Sequence, residues 1–165
     1  MRVARHARLG AARAGTVLAA LALGLAPAIV HAQWKPAGAL AAVPVIDECR
    51  ETGGDVMAAR LDPPTIYVCP LVVALIRKEH PGAEHFYLVH EYGHIALRTP
   101  DERAADCWAA QALAGAPHGR RYLAIFVAHL RSRPPGDSPR YGSPAQRAQH
   151  ILECADEAAP APAPS

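Results

Sequence analysis

The chain of 165 residues lacks several features that would assign it quickly. No two of its four cysteines, Cys49, Cys69, Cys107 and Cys154, share a C-x-x-C spacing, which argues against cysteine zinc ligands. There is no glycine-rich phosphate loop and no internal repeat at a solenoid period. Nor is there a basic surplus once the N-terminus is set aside. Residues 1–32 hold four of the 17 basic residues and none of the 15 acidic ones, so the remainder has a slight acidic excess and nothing that suggests a nucleic-acid binder. The length leaves room for one domain with a modest core.

What is present begins with an export pattern. Arg2, Arg5, Arg8 and Arg13 precede the apolar stretch TVLAALALGLA, then Pro27 and the small-residue end Val30-His31-Ala32. That order is the pattern of a secretory signal peptide, with cleavage expected after Ala32 and a periplasmic or secreted mature chain. The uncharged run 14–30 reaches the lower limit of a bilayer span, but Gly24, Pro27 and the cleavage pattern argue against stable membrane insertion. Four cysteines in an exported chain point to two disulfides, for which three connectivities exist. Cys49 with Cys69 and Cys107 with Cys154 is the favoured pairing: the first flanks one short segment and the second ties two helices together.

Residues 33–44 read as an extended lead-in, 45–158 as one domain, and 159–165 as a disordered Pro/Ala tail. Within the domain the pattern is mainly α with one or two short strands. TIYVC (65–69) reads as a strand after Pro63-Pro64. Pro70 opens a helix that Pro81-Gly82 closes, and residues 83–98 form a second, with Phe86, Leu88, Val89, Ile95 and Leu97 available for burial. Thr99-Pro100 breaks it. DERAADCWAAQALAG, RRYLAIFVAHLRS and AQRAQHILECADEA then follow as three more helices separated by Gly115, Pro117 and Pro134-Pro135.

The second helix carries H90-E-Y-G-H94. A shuffled chain of this composition shows H-E-x-x-H with a chance of about 2 in 100, so the string needs support. On a helix, His90 and His94 share one face and can reach one metal ion. Gly93 lowers helix propensity by about 1 kcal/mol relative to Ala, offset by room for a neighbouring backbone. Glu102, eight residues after His94 and across the break, is the expected third ligand. Asp106, one turn further on, is placed to accept the outer N–H of a ligand histidine. Asp101 is a weaker rival, with Ala105 where a supporting acid would stand.

HEYGH followed by E102-R-A-A-D106 resembles the H-E-x-x-H plus E-x-x-x-D pattern of gluzincin metallopeptidases, most closely the HtpX and CAAX-prenyl-endopeptidase group and its soluble, exported relatives. The resemblance covers residues 64–114, with a fainter echo in S-P-A-Q-R ending at Arg147. It implies a minimal zincin-like helical metalloprotease domain in which His90, His94 and Glu102 bind Zn²⁺, Asp106 supports a ligand histidine and Glu91 is the general base. The implied activity is cleavage of protein or peptide substrates by a water that the metal activates. The membrane helices of the group's integral members are missing, so a prenylated substrate is not implied.

Tyr141, Arg147 and His150 are the candidates for stabilising an oxyanion or contacting substrate. By the same resemblance, TIYVC is a possible sheet edge for an extended substrate. His80 and His85 read as solvent-facing, His118 and His129 as having no acidic or cysteine partner at ligand spacing, and Phe86, Trp108 and Phe126 as core. Two alternatives stand beside the endopeptidase. One is a non-catalytic envelope adaptor stabilised by zinc, against which Glu91 argues, since a structural site needs no acid between its ligands. The other is a disulfide-stapled interaction protein that binds no metal.

Overall fold

The structure, a computed structural model, describes residues 34–158. The expected signal peptide and Pro/Ala tail lie outside the described residues. A single-turn 3-10 helix, Gly38–Ala42, is followed by β1 (Val45–Asp47), β2 (Met57–Leu61), β3 (Pro64–Val68), α1 (Pro70–Glu79), α2 (Glu84–Leu97), α3 (Glu102–Ala114), α4 (Gly119–Ser132) and α5 (Pro144–Glu157). The architecture is mainly α with one small sheet, as expected, and four of the five helices begin or end at the proline and glycine breaks read from the sequence.

The helix ends follow from local chemistry. Pro70 occupies the first turn of α1, where its missing N–H is no loss. α2 ends on Arg98 in the left-handed region, φ 50°, with its N–H bonded to the His94 and Ile95 carbonyls. Three residues later the Asp101 carboxylate accepts from the N–H groups of Arg103 and Ala104 and caps α3. Asp101 is thus a helix cap, which removes it as a rival ligand. Ser143 and Gln146 form a reciprocal capping box at the start of α5.

The sheet order is β1-β3-β2, with β1 parallel and β2 antiparallel to β3. TIYV is therefore the central strand, and the expectation that it offers an edge is corrected: both of its sides are occupied, and the edge beside the helices belongs to β2. Neither β1 nor β2 was legible as a strand. The lead-in is not simply extended either, since it forms the 3-10 turn and packs Trp34 against Tyr92 and Trp108, with ring centroids 5.4 and 6.0 Å apart.

α2 is the central element, packed on β2, α3 and α4. Phe86 stacks on Phe126 with centroids 4.1 Å apart, and both are fully buried with Leu113 and Ile151. Trp108 is half-buried against this core, while Leu97 stays exposed. Gly93 has the role foreseen for it: a Cβ there would lie 3.0 Å from the Ala105 carbonyl oxygen, so the glycine lets α3 approach α2 at the turn that carries His90 and His94. His80 and His85 are half-buried rather than solvent-facing: His80 bonds Ser132 Oγ at 2.9 Å and His85 packs on Tyr122. Disulfides join Cys49 to Cys69 and Cys107 to Cys154. They suit an oxidising compartment. Among the described residues no helix is long and apolar enough to cross a membrane.

Candidate metal centre

α2 and α3 bring together His90, His94 and Glu102. His90 Nε2 is 3.0 Å from His94 Nε2, and Glu102 Oε2 lies 3.1 Å from the first and 3.3 Å from the second. Ligand atoms at about 2.0–2.1 Å around a tetrahedral cation stand about 3.3 Å apart, so this triangle is close to one face of such a site. These three residues form a group able to hold a metal ion.

The protons point the same way. His94 Nδ1 donates to the Thr99 carbonyl at 2.8 Å, which leaves Nε2 with its lone pair. His90 Nδ1 lies 2.8 Å from Asp106 Oδ1, and its Nε2 faces the cluster. Two imidazole nitrogens and a carboxylate oxygen converge on one point, an arrangement suited to a cation. In the protein alone a proton partly meets the demand. Burial opposes charge on His90, but contacts from Asp106 and Glu102 outweigh it and hold its pKa up at about 9. Burial raises Glu102 as well, yet His90, His94 and Tyr141 together hold it well below the usual carboxylate range.

Asp106 is fully buried and has a second partner. Arg147 on α5 grips it through two hydrogen bonds of 2.8 Å each, from Nε to Oδ2 and from Nη2 to Oδ1. The same guanidinium lies 3.7 Å over the Tyr141 ring, and the Tyr141 hydroxyl donates to Glu102 Oε2 at 2.5 Å. One arginine thus braces both acidic residues of α3, Asp106 directly and Glu102 through Tyr141. The sequence pointed to Tyr141 and Arg147 but not to these roles, because their partners lie 39 and 41 residues away. Arg147 is committed to a buried ion pair. His150 is not at the cluster: its Nε2 meets the Arg103 carbonyl at 3.0 Å on the α3–α5 surface.

Glu91 is buried, 6 % exposed, at the wall of a cleft of about 1030 Å³ that His90, His94, Glu102 and Tyr141 also line. Burial raises its proton affinity, against the opposing pull of His90 and His94. β2 lines the same cleft through Met57, Ala58, Ala59 and Leu61. Val56 accepts from Cys69, and the register continues this pairing through Ala58–Tyr67 and Arg60–Thr65, so the backbone groups of Met57, Ala59 and Leu61 point to the free edge. Ala59 and Glu91 both line the cleft. The edge and the acid therefore share one cleft.

No family model, curated protein or solved structure matches the chain.

Proposed function

We propose that the chain is an exported zinc-dependent endopeptidase that hydrolyses peptide bonds in proteins or peptides. The observation that carries the reading is the triangle of lone-pair atoms from His90, His94 and Glu102, with the buried acid Glu91 beside it in a cleft open to substrate. A structural site would be closed by a fourth protein ligand and would need no such acid.

Zinc, when bound, supplies a Lewis acid for the peptide carbonyl and acidifies a water toward a pKa of about 7. The rest falls to the chain's own side chains. Glu91, its proton affinity raised by burial, takes a proton from the attacking water and returns it to the leaving amine. Asp106 and the Thr99 carbonyl hold the two imidazoles in the tautomers that leave Nε2 free. The outward backbone groups of Met57, Ala59 and Leu61 pair with an extended substrate and lay it across the site. Of the three oxyanion candidates, Tyr141 presents a hydroxyl in the cleft whose partner can be exchanged for a developing oxyanion, whereas Arg147 is held by Asp106 and His150 lies away from the cluster.

The test compares the mature chain with its Glu91→Gln variant for zinc content and for cleavage of casein. Both forms retain zinc, and the variant loses cleavage by about 100-fold or more. Undiminished cleavage by the variant, or none by either form with zinc in place, contradicts the reading.

A further inference from the structure

Where α3 meets α5, outside the residues that line the cleft, the Cys107–Cys154 disulfide stands among polar side chains that the metal centre does not use. His150 lies one turn before Cys154 on α5, and its ring nitrogens are 4.0 and 3.9 Å from Cys154 Sγ. The same imidazole has Arg103 Nη2 3.3 Å from Nδ1, and its Nε2 meets the Arg103 carbonyl at 3.0 Å. At the other sulfur, Gln111 Nε2 donates to Cys107 Sγ at 3.7 Å. We propose that this disulfide is a site of thiol–disulfide exchange: an external dithiol opens it at Cys107, Cys154 is the leaving sulfur, and the opening weakens the hold on the metal. The exchange stands on the geometry at the sulfurs, and its effect on zinc rests on the metal centre of the proposed endopeptidase.

Three observations carry it. First, the two sulfurs differ in access. Cys107 is half-buried and Cys154 only 4 % exposed, so a reagent meets Cys107 first. Second, the leaving sulfur is provided for. Exchange is faster when the departing thiolate is better stabilised, and reactive sulfurs occupy electropositive, partly exposed surroundings. Arg103 is exposed and, among the described residues, in no ion pair, so its charge acts through His150 on Cys154. Among the described residues, no side chain donates to the sulfur of Cys49 or Cys69, which makes that pair an internal reference. Third, the sulfurs adjoin the support of the metal ligands. Cys107 directly follows Asp106, and Cys154 lies two turns after Arg147, which grips Asp106. In the exchange, the reagent's first thiolate attacks Cys107 Sγ, and the S–S bond breaks with its electron pair on Cys154, which takes up a proton. The second thiolate then displaces Cys107 from the mixed disulfide. Two electrons and two protons pass to the cysteines, and the dithiol becomes a disulfide.

The experiment uses the mature chain with both disulfides formed, under native conditions. Dithiothreitol opens the disulfides for timed intervals, iodoacetamide traps the thiols, and peptide mapping by mass spectrometry gives an opening rate for each pair. Cys107 and Cys154 are expected to open about tenfold or more faster than Cys49 and Cys69. His150→Gln is expected to slow that pair alone, about threefold or more, at an unchanged melting temperature. The comparison of the two pairs in wild type needs no variant. Glutathione, a monothiol, is expected to leave its mixed disulfide on Cys107. Reduced thioredoxin separates the sources of the dithiol: opening by it as well supports a protein dithiol, and opening by dithiothreitol alone a small one. After trapping and desalting, zinc affinity read by chelator competition is expected to be about tenfold or more lower. Equal opening of both pairs, glutathione on Cys154, an unchanged rate in His150→Gln, or unchanged zinc affinity after opening overturns the proposal. The two readings fail separately. A chain that holds zinc and cleaves casein yet opens both disulfides alike keeps the endopeptidase and loses the exchange site; one that cleaves nothing yet opens Cys107–Cys154 selectively, with weaker zinc binding, does the reverse.

Discussion

Asp106 faces two partners with different tasks, the imidazole of His90 and the guanidinium of Arg147. Its replacement by Asn removes the charge that both need. Zinc affinity is expected to fall about 10- to 100-fold, as for other supports of ligand histidines. Stability is expected to fall by about 3–5 kcal/mol, because Arg147 is left as a buried, unpaired charge. Chelator competition measures the first and denaturant unfolding the second; a variant with unchanged zinc affinity would show that Asp106 does not act through His90. Gly93 gives a steric counterpart. Gly93→Val drives a branched side chain into the Ala105 backbone, and about 1–3 kcal/mol of destabilisation is expected, read as a lower unfolding midpoint. At this scale the sequence was informative where chemistry is local. The i, i+4 spacing of His90 and His94, and of Glu102 and Asp106, can be read from helix geometry alone. The Tyr141–Glu102 and Arg147–Asp106 contacts could not, because no local period encodes a partner beyond an intervening helix, α4.

Proline and glycine mark the helices here, so Pro70, Pro81-Gly82, Thr99-Pro100, Gly115 with Pro117, and Pro134-Pro135 sufficed to divide the helical half of the chain. β2 escaped for a specific reason: Met57-Ala-Ala-Arg-Leu61 consists of good helix formers, and only pairing with β3 makes it a strand. That override matters, since it puts β2 at the edge where TIYVC had been expected. The contact of α1 with α4 carries its own expectation. His129 on α4 is buried beside His80, with Arg133 and Arg147 also disfavouring its charge and Glu79 favouring it; burial first, then these neighbours, lower its pKa to about 4. The folded protein thus binds this proton less readily than the unfolded chain, whose histidine titrates near 6.5. The stability this neutral form confers is present above about 6.5 and is lost as pH falls toward 4. Urea midpoints across that window are expected to decline with acid more steeply in wild type than in His129→Gln, and equal slopes would contradict the assignment.

Taken whole, the molecule is small for the work proposed, and cross-links compensate for a modest core. Cys49–Cys69 and Cys107–Cys154 close separations of 20 and 47 residues, and a chain-entropy argument assigns them about 3–4 kcal/mol each. The second ties α3, which carries Glu102 and Asp106, to α5, which carries Arg147. Replacing both Cys107 and Cys154 by Ser is therefore expected to lower the melting temperature and to weaken zinc binding together, whereas loss of Cys49–Cys69 lowers stability with less effect on the metal; equal effects on zinc would contradict the link between α5 and the site. The central claim is that His90, His94 and Glu102 hold one zinc ion, and anomalous X-ray diffraction at the zinc edge from crystals of the mature chain tests it most directly. The expected result is one peak per chain within about 2.0–2.2 Å of His90 Nε2, His94 Nε2 and a Glu102 oxygen, and its loss in His94→Ala. A zinc-supplemented crystal with no peak between these three residues, or with its peak elsewhere, would contradict the account.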